Sequence, residues 1–382
     1  MSGKSDFQII KLPFKSKTDL LACGAELKNT FCLVKGDKLF KSGNNGDLEN
    51  LDNLLGYERG IGAALKRLNL QPRLVCCDMH PEYLSTKFGQ EFAKKYPAGL
   101  EFIQHHHAHV ASCMLENKEK GKAIGVAFDG TGFGSDGKLW GAEFLIFDYK
   151  NFKRQAHLRY IPLAGGNKPI LEPWRLAATW LYAIYKDQFL DLKIDFVKKI
   201  DREKWQIIKQ MLDKNINSPF SSSMGRLFDA VSALIGVRSV VEYEAQAAIE
   251  LERLASKFYS QDVGSYKFTL ARPDGWIINP GAIFSGIIQD LKNRQPIGKI
   301  ALKFHYTVCR MISEVCILIR QQERLNRVFL SGGVFQNKII TEKSTTLLQA
   351  AGFKVFKSPT APNDGCISIG QAMVGLARHK RV

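Results

Sequence analysis

The sequence predicts an α/β protein of two related lobes, with the division near residues 118–122. Strands come first and are followed by alternating helix and strand, the order of a layered unit with a mixed sheet. After Lys118-Glu119-Lys120-Gly121-Lys122 an apolar strand, Ala123 to Phe128, starts the pattern again. Glycine-containing turns punctuate both halves, at 24–30, 129–137 and 331–337. Residues 1–119 are thus assigned to an N-terminal lobe and 120–382 to a C-terminal lobe carrying a helical insertion.

Composition agrees with this size. A chain of 382 residues can bury two ordinary cores. With 45% hydrophobic and 24% charged residues it is neither disordered nor fibrous. A net charge of +17 points to anionic partners, whether nucleotide, phosphate, acidic protein or nucleic acid, or else to simple solubility. The eight cysteines are scattered without a CxxC pair, which argues against a zinc ribbon or a disulfide framework and fits a reduced cytoplasm. No signal-peptide core opens the sequence and no run has the length of a membrane span, so the expected location is cytoplasmic.

In the first half, Ser2-Gly3-Lys4-Ser5 lacks the leading glycine and strand of a P-loop and is set aside. From Leu20 to Ser42 the chain reads as strands, with Gly36-Asp37 as a hairpin turn. The small residues at 24–30 would let the backbone approach a phosphate, with Lys28 adding charge. Leu51 to Leu68 has helical periodicity, Arg73 to Cys77 is a buried strand, and Tyr83 to Lys95 is a second helix. A strand over 101–104 leads into Gln104-His105-His106-His107-Ala108-His109, the start of a helix running to about Lys118. Four of the eight histidines lie here, and His105 and His109 share one helical face. That spacing suits a metal; the alternative is a polar helix start whose histidines pack or cap.

In the second half, the strand 123–128 runs into Asp129-Gly130-Thr131-Gly132, part of a Gly-rich turn before the strand 139–147. Such a turn holds phosphate through its backbone N–H groups, and Asp129 at the strand end can bind a metal touching that phosphate; a plain hairpin is the other reading. A third strand over 154–163 and a helix opened by Glu172-Pro173-Trp174-Arg175 follow. Residues 186–220 read as an inserted helical element. Asp229 and Glu250 lie on the next two helices, where they either face one another or are surface carboxylates. The closing third alternates helix and strand, so Gly332, Gly333 and Asp364 fall on one crevice beyond the strand ends, although a carboxylate like Asp364 also serves as a helix cap.

Two histidines and two strand-end aspartates make a mixed N/O donor set suited to iron or zinc. Two α/β lobes clasping a nucleotide and a metal is the arrangement of the actin, hexokinase and Hsp70 superfamily, built of tandem RNase H-like lobes around a central nucleotide and metal cleft.

The segments GAELKNTF, GDLEN, CDMHPEYLST, QHHHAH, FDGTGFGSDGKLWGAEF, EPWR, SSMGRLFDAVSALIG, LSGGVFQN and PNDG, in this order and over nearly the whole chain, resemble the C-terminal, Kae1-like part of the HypF family, carbamoyltransferases of hydrogenase maturation. The resemblance implies an enzyme that takes carbamoyl adenylate, made from carbamoyl phosphate and ATP, and passes the carbamoyl group to the C-terminal cysteine of HypE. It implies one divalent metal ion, iron or zinc, on His105, His109, Asp129 and Asp364. It further implies phosphate or base contacts from Gly130, Thr131, Gly132, Gly332, Gly333 and Asn337, and ribose contacts from Asp229 and Glu250. No cysteine of this chain would be catalytic.

Departures from the family pattern are Ala164 and Asn167 where Pro and Asp are expected, Ala245 where Gly is expected, and Cys366 where a second Gly is expected. The acylphosphatase, zinc-finger and YrdC-like parts of the family are not in this sequence, so a separate YrdC-like or N-terminal HypF module is the expected source of adenylate. The alternatives are a tRNA threonylcarbamoyl-type transferase, a small-molecule O-carbamoyltransferase, or a nucleotide-binding scaffold. FDGTG and HHHAH fit the HypF type better than the tRNA type, and neither nucleic acid nor membrane is an expected partner.

Overall fold

A computed structural model describes residues 7–272, 275–360 and 362–379. The Ser2-Gly3-Lys4-Ser5 segment lies outside them. The first sheet is formed by β1 (Gln8–Lys11), β2 (Leu20–Ala22), β3 (Cys32–Lys35), β4 (Lys38–Lys41), β5 (Leu74–Asp78) and β6 (Gly99–Ile103), in the order β1-β4-β3-β2-β5-β6. Gly36 and Asp37 form the two-residue link between β3 and β4, with Lys35 paired to Lys38. The helices of this half are α1 (Leu51–Leu68), α2 (Leu84–Lys95) and α3 (His105–Glu116). Side chains alternate across a strand. Thus Leu20, Ala22, Leu74 and Cys76 face one core, and Leu21, Cys23, Val75 and Cys77 face another lined by Tyr57, Ile61 and Phe92 of α1 and α2.

The second sheet contains β7 (Ala123–Phe133), β8 (Leu139–Phe147), β9 (Phe152–Leu158), β10 (Ile161–Pro162), β11 (Phe220–Ser221), β12 (Thr269–Ala271), β13 (Trp276–Asn279), β14 (Arg327–Ser331) and β15 (Lys354–Lys357). Its main path is β12-β13-β9-β8-β7-β14-β15, with β10 and β11 beside β8. Between its strands run α4 (Lys168–Leu171), α5 (Trp174–Tyr185), α6 (Asp195–Lys198), α7 (Arg202–Asp213), α8 (Met224–Leu234), α9 (Gln246–Ser256), α10 (Gly281–Lys292), α11 (Ile297–Glu323) and α12 (Lys338–Ala350), and α13 (Ile367–His379) is the last element among the described residues. The inserted element at 186–220 contains α6 and α7 and closes in the strand β11, a pairing its helical pattern did not foretell. The strand expected over 154–163 is split into β9 and β10. β1, β12, β13 and α10 are further elements beyond the expected set.

The helix that carries the histidines lies between the two sheets. Ala108, Ala111 and Leu115 of α3 enter the first core. Val110, Cys113 and Met114 enter a second core with Ala127, Leu145 and Phe329 of the other sheet. Every residue from His105 to Leu115 is therefore buried, as a helix walled on both sides requires. On the first-sheet side α3 is crossed by α13, whose Ile369, Ala372 and Met373 join the same core, so that core draws on both ends of the chain. The crossing is close at Gly370, where a Cβ would collide with the Ala108 carbonyl. This two-lobed α/β architecture with mixed sheets is the expected one.

Candidate functional site

Three chain segments converge at the N-terminal end of α3. The Gln104 side chain accepts from His107 N at 2.9 Å and caps the helix. This sets the first turn, so that His105 and His109 point the same way, their ring centroids 5.0 Å apart. β7 delivers Asp129, and the turn before α13 delivers Asp364. The ligand atoms of His105, His109, Asp129 and Asp364 all lie within 4.8 Å of one another. His109 Nε2 is 2.8 Å from Asp129 Oδ2 and 3.7 Å from Asp364 Oδ1. His105 Nε2 is 3.6 Å and 3.8 Å from the same two oxygens.

The Gly-rich stretch behaves differently from the expected turn. β7 continues through it to Phe133, and the pairing with β8 slips between Phe128 and Gly132. Residues 129–131 therefore form a bulge, which re-aims side chains beside a site. Asp129 Oδ1 is held there by Gly130 N at 2.7 Å and by Gly333 N at 3.3 Å, which leaves Oδ2 to the histidines. Gly332 needs its glycine, because φ is +99° and a Cβ would strike the Phe128 carbonyl. Gly132 packs against the rings of His105 and His106.

The charges match the geometry. Burial alone would lower the His105 imidazole, yet the surrounding carboxylates of Asp78, Asp129 and Asp364 hold it up at about 10. His109 is likewise raised against burial, with Cys366, Asp129 and Asp364 favouring its charged form. Asp129 is buried and still held well below the usual carboxylate range by the two histidines. Without an ion, two imidazolium protons supply the positive charge these carboxylates need, and one divalent cation would supply the same. The donor set is chemically right for such an ion, and His105 Nε2 is a fully buried nitrogen with no hydrogen-bond partner. The residues fit the metal.

The other sequence candidates are placed as follows. Asn337 caps α12 by accepting from Ile340 N at 3.0 Å, and its amide nitrogen lies 3.0 Å from His305 Nε2. Asp229 is 3% exposed and its carboxyl is pushed up to about 6 by burial, against the pull of Arg226. Glu250 pairs with Arg238 at 2.7 Å and accepts from Gln246 at 3.1 Å. His106 and His107 turn away from the cluster, toward Gln104 Nε2 at 3.1 Å and the Asp148 carbonyl at 2.6 Å.

Three further polar residues were given no role from sequence. Asp78 meets His105 Nδ1 at 2.8 Å. Arg226 is buried beside the bulge, with its Nε 2.9 Å from Asp229 Oδ2 but off the line of a hydrogen bond, so Nε and Nη1 have no hydrogen-bond acceptor. Glu244 completes this group, its carboxyl raised by burial. A Cβ on Gly130 would lie 3.2 Å from Glu244 Oε1 and 3.7 Å from Arg226 Nη2, so both face the bulge. For Asp78 the available signal was its place at the end of an apolar strand, as for Asp129.

Fold and site together define a two-lobed α/β protein with a His/Asp cluster able to hold a metal ion, and a glycine-containing bulge faced by Arg226 and Glu244, where its two sheets meet. Residues 15–116 match the family model described as HypF Kae1-like domain, and residues 125–371 match that of the carbamoyltransferase Kae1-like domain, second subdomain. The chain belongs to the HypF carbamoyltransferase family, as a homologue of its C-terminal Kae1-like region. Carbamoyltransferase HypF2 of Cupriavidus necator is 34% identical over 386 residues, covering 95% of this chain and 47% of its own length. A carbamoyltransferase HypF homolog of the same organism is 32% identical over 362 residues, covering 93% of this chain and 91% of its own. The crystal structure of full-length HypF in its phosphate- and nucleotide-bound form is 39% identical with a TM-score of 0.91, over 97% of this chain and 57% of that one. That of T. kodakarensis HypF is 29% identical with a TM-score of 0.87, over 97% and 48%. The chain spans about half the length of most of these relatives.

Proposed function

We propose that this chain performs the transfer half-reaction of carbamoylation, using carbamoyl adenylate as donor and the C-terminal cysteine thiol of HypE as acceptor. The observation that carries this reading is the meeting, at one bulge, of the His105, His109, Asp129 and Asp364 cluster with the buried Arg226, its neighbour Asp229, and Glu244. In the reaction the acceptor sulfur bonds to the carbamoyl carbon, the bond from that carbon to the adenylate phosphate breaks, and AMP leaves with the electron pair. The thiol proton passes to solvent. A divalent ion, iron or zinc, held by the two histidines and two aspartates would act as a Lewis acid on the oxygens that gain charge.

The chain's own residues bind and orient. Thr131, Gly132 and Gly332 are assigned backbone contacts to phosphate, as are Gly130 and Gly333, whose N–H groups would first have to leave Asp129 Oδ1, and Asn337 is assigned to phosphate or base. Asp229 and Glu250 are assigned to the ribose, and Arg226 adds a guanidinium beside Gly130. The eight thiols are all free and buried, which agrees with an acceptor sulfur that comes from a partner. Residues 1–119 and 120–382 are assigned to the two lobes, with α13 of the second packed into the core of the first. Carbamoyl adenylate comes from carbamoyl phosphate and ATP, by way of a separate YrdC-like or N-terminal HypF module. The setting is cytoplasmic; among the described residues no helix is long and apolar enough to cross a membrane.

The test supplies purified protein with carbamoyl phosphate and ATP, with and without a YrdC-like protein, and follows the mass of the HypE C-terminal peptide. Addition of one carbamoyl group on the cysteine, lost in His105→Ala, is expected. Transfer that survives His105→Ala but disappears on mutating one of the chain's own cysteines would overturn the mechanism.

A further inference from the structure

Asp78 ends β5 in full burial and is fixed from more than one side. Its Oδ1 accepts from His80 N at 2.9 Å, and its main-chain carbonyl accepts from the Thr86 hydroxyl at 3.2 Å. Its Oδ2 is thereby aimed at His105 Nδ1, 2.8 Å away. The opposite nitrogen of the same ring, Nε2, is the unpartnered one that faces Asp129 and Asp364.

An imidazole offers a lone pair to a cation only from the nitrogen that carries no hydrogen. A carboxylate on the far nitrogen keeps the hydrogen there, fixes the ring plane, and makes the near nitrogen a better donor. His109 has no such carboxylate. Its Nε2 faces the cluster, while its Nδ1 meets Cys366 Sγ at 3.4 Å. A thiol is a weak hydrogen-bond partner, so the two histidines are unequally supported.

We propose that Asp78 is the positioning residue of this cluster: it orients His105 toward a divalent cation and makes it the firmer of the two histidine ligands. The proposal rests on reading His105, His109, Asp129 and Asp364 as the ion's ligands, and the experiment separates the two claims.

Zinc binding to the whole chain is measured by competition with a chromophoric chelator, for the unchanged protein and for Asp78→Asn, Asp78→Ala, Cys366→Gly and His105→Ala. Visible spectra of the cobalt-substituted proteins are recorded alongside. Asp78→Ala is expected to weaken zinc by about 10- to 100-fold. Asp78→Asn should weaken it less than Asp78→Ala, because its amide oxygen can still accept from Nδ1–H at nearly the same volume, at the expense of the bond from His80 N. Both should shift the cobalt bands, which a change in stability alone would not do, and Cys366→Gly should leave affinity within a few-fold. Unchanged zinc affinity and unchanged cobalt bands in folded Asp78→Asn, with zinc lost in His105→Ala, would overturn the positioning role and leave the ligand assignment standing. Zinc held equally by His105→Ala would overturn both. If Asp78→Ala does not fold, the near-isosteric Asp78→Asn carries the decision.

Discussion

His109 on α3 and Asp129 on β7 meet at 2.8 Å across the junction of the two sheets, and both are buried. A cation entering here must displace protons. With His105 raised to about 10 and His109 also raised, both rings carry protons at neutral pH when no ion is present. Binding a cation therefore expels up to about two protons per ion, and affinity climbs with pH until His105 is passed near 10. Calorimetry in buffers of different ionisation heat measures the number directly. His105→Ala should reduce it by about one. Affinity that stays flat from neutral to alkaline pH would contradict the charge balance.

The histidines that do not face the cluster carry the opposite pH signature. His107 and His305 are held down to about 4, mainly by burial. A group whose folded value is depressed below the unfolded one, here 6.5, binds its proton preferentially in the unfolded chain. Stability is thus complete above 6.5 and falls as pH drops through 4. Each contributes a loss of about 3 kcal/mol at full protonation. Urea unfolding between these pH values checks it, and a flat profile would be incompatible with neutral buried rings.

Ala245 occupies a left-handed conformation, φ +63°, at the start of α9. This is a position where the family pattern leads one to expect glycine, and the backbone explains why. A Cβ in that region costs about 1 kcal/mol, so Ala245→Gly is expected to raise unfolding free energy by about that amount despite the added freedom of the unfolded chain. Denaturant midpoints give the comparison. A destabilised glycine variant would mean that the turn is not strained.

Arg226 and Asp229 should govern nucleotide binding. Arg226→Lys keeps the charge but loses the planar fork, and a roughly tenfold weaker ATP affinity is expected in a fluorescent-nucleotide titration. Asp229 titrates near 6, so ATP binding should weaken as pH falls below that value, when its carboxyl becomes neutral and accepts less well from ribose hydroxyls. Asp229→Asn should bind weakly throughout and flatten the profile. A 2′,3′-dideoxynucleotide should be indifferent to the change.

The sequence read well wherever one short stretch held the whole signal. His105 and His109 are four residues apart on one helix, and Asp129 follows an apolar run and Asp364 precedes a helix, on the side that α/β sheets turn toward a ligand. Asp78 and Arg226 escaped because their meaning is tertiary: Asp78 is 27 positions from His105, and nothing in its own neighbourhood names the partner. The Gly-rich run after Phe128 permits a turn and a bulge equally, and only pairing with β8 decides. β1 was missed because its residues are largely exposed and lack an inward face to alternate. The alternation of helix and strand in the closing third leads to α13 but says nothing about which sheet it covers.

The enclosure of α3 also limits how its histidines can move. A histidine on an exposed helix swings to a new rotamer at little expense, but here a sheet would first have to lift away. The geometry of the two histidines is therefore kept by the packing of Val110, Ala111 and Met114 as well as by hydrogen bonds. A volume change at those apolar positions, or at Gly370, should be felt at the cluster as a loosened clamp, with no polar atom altered.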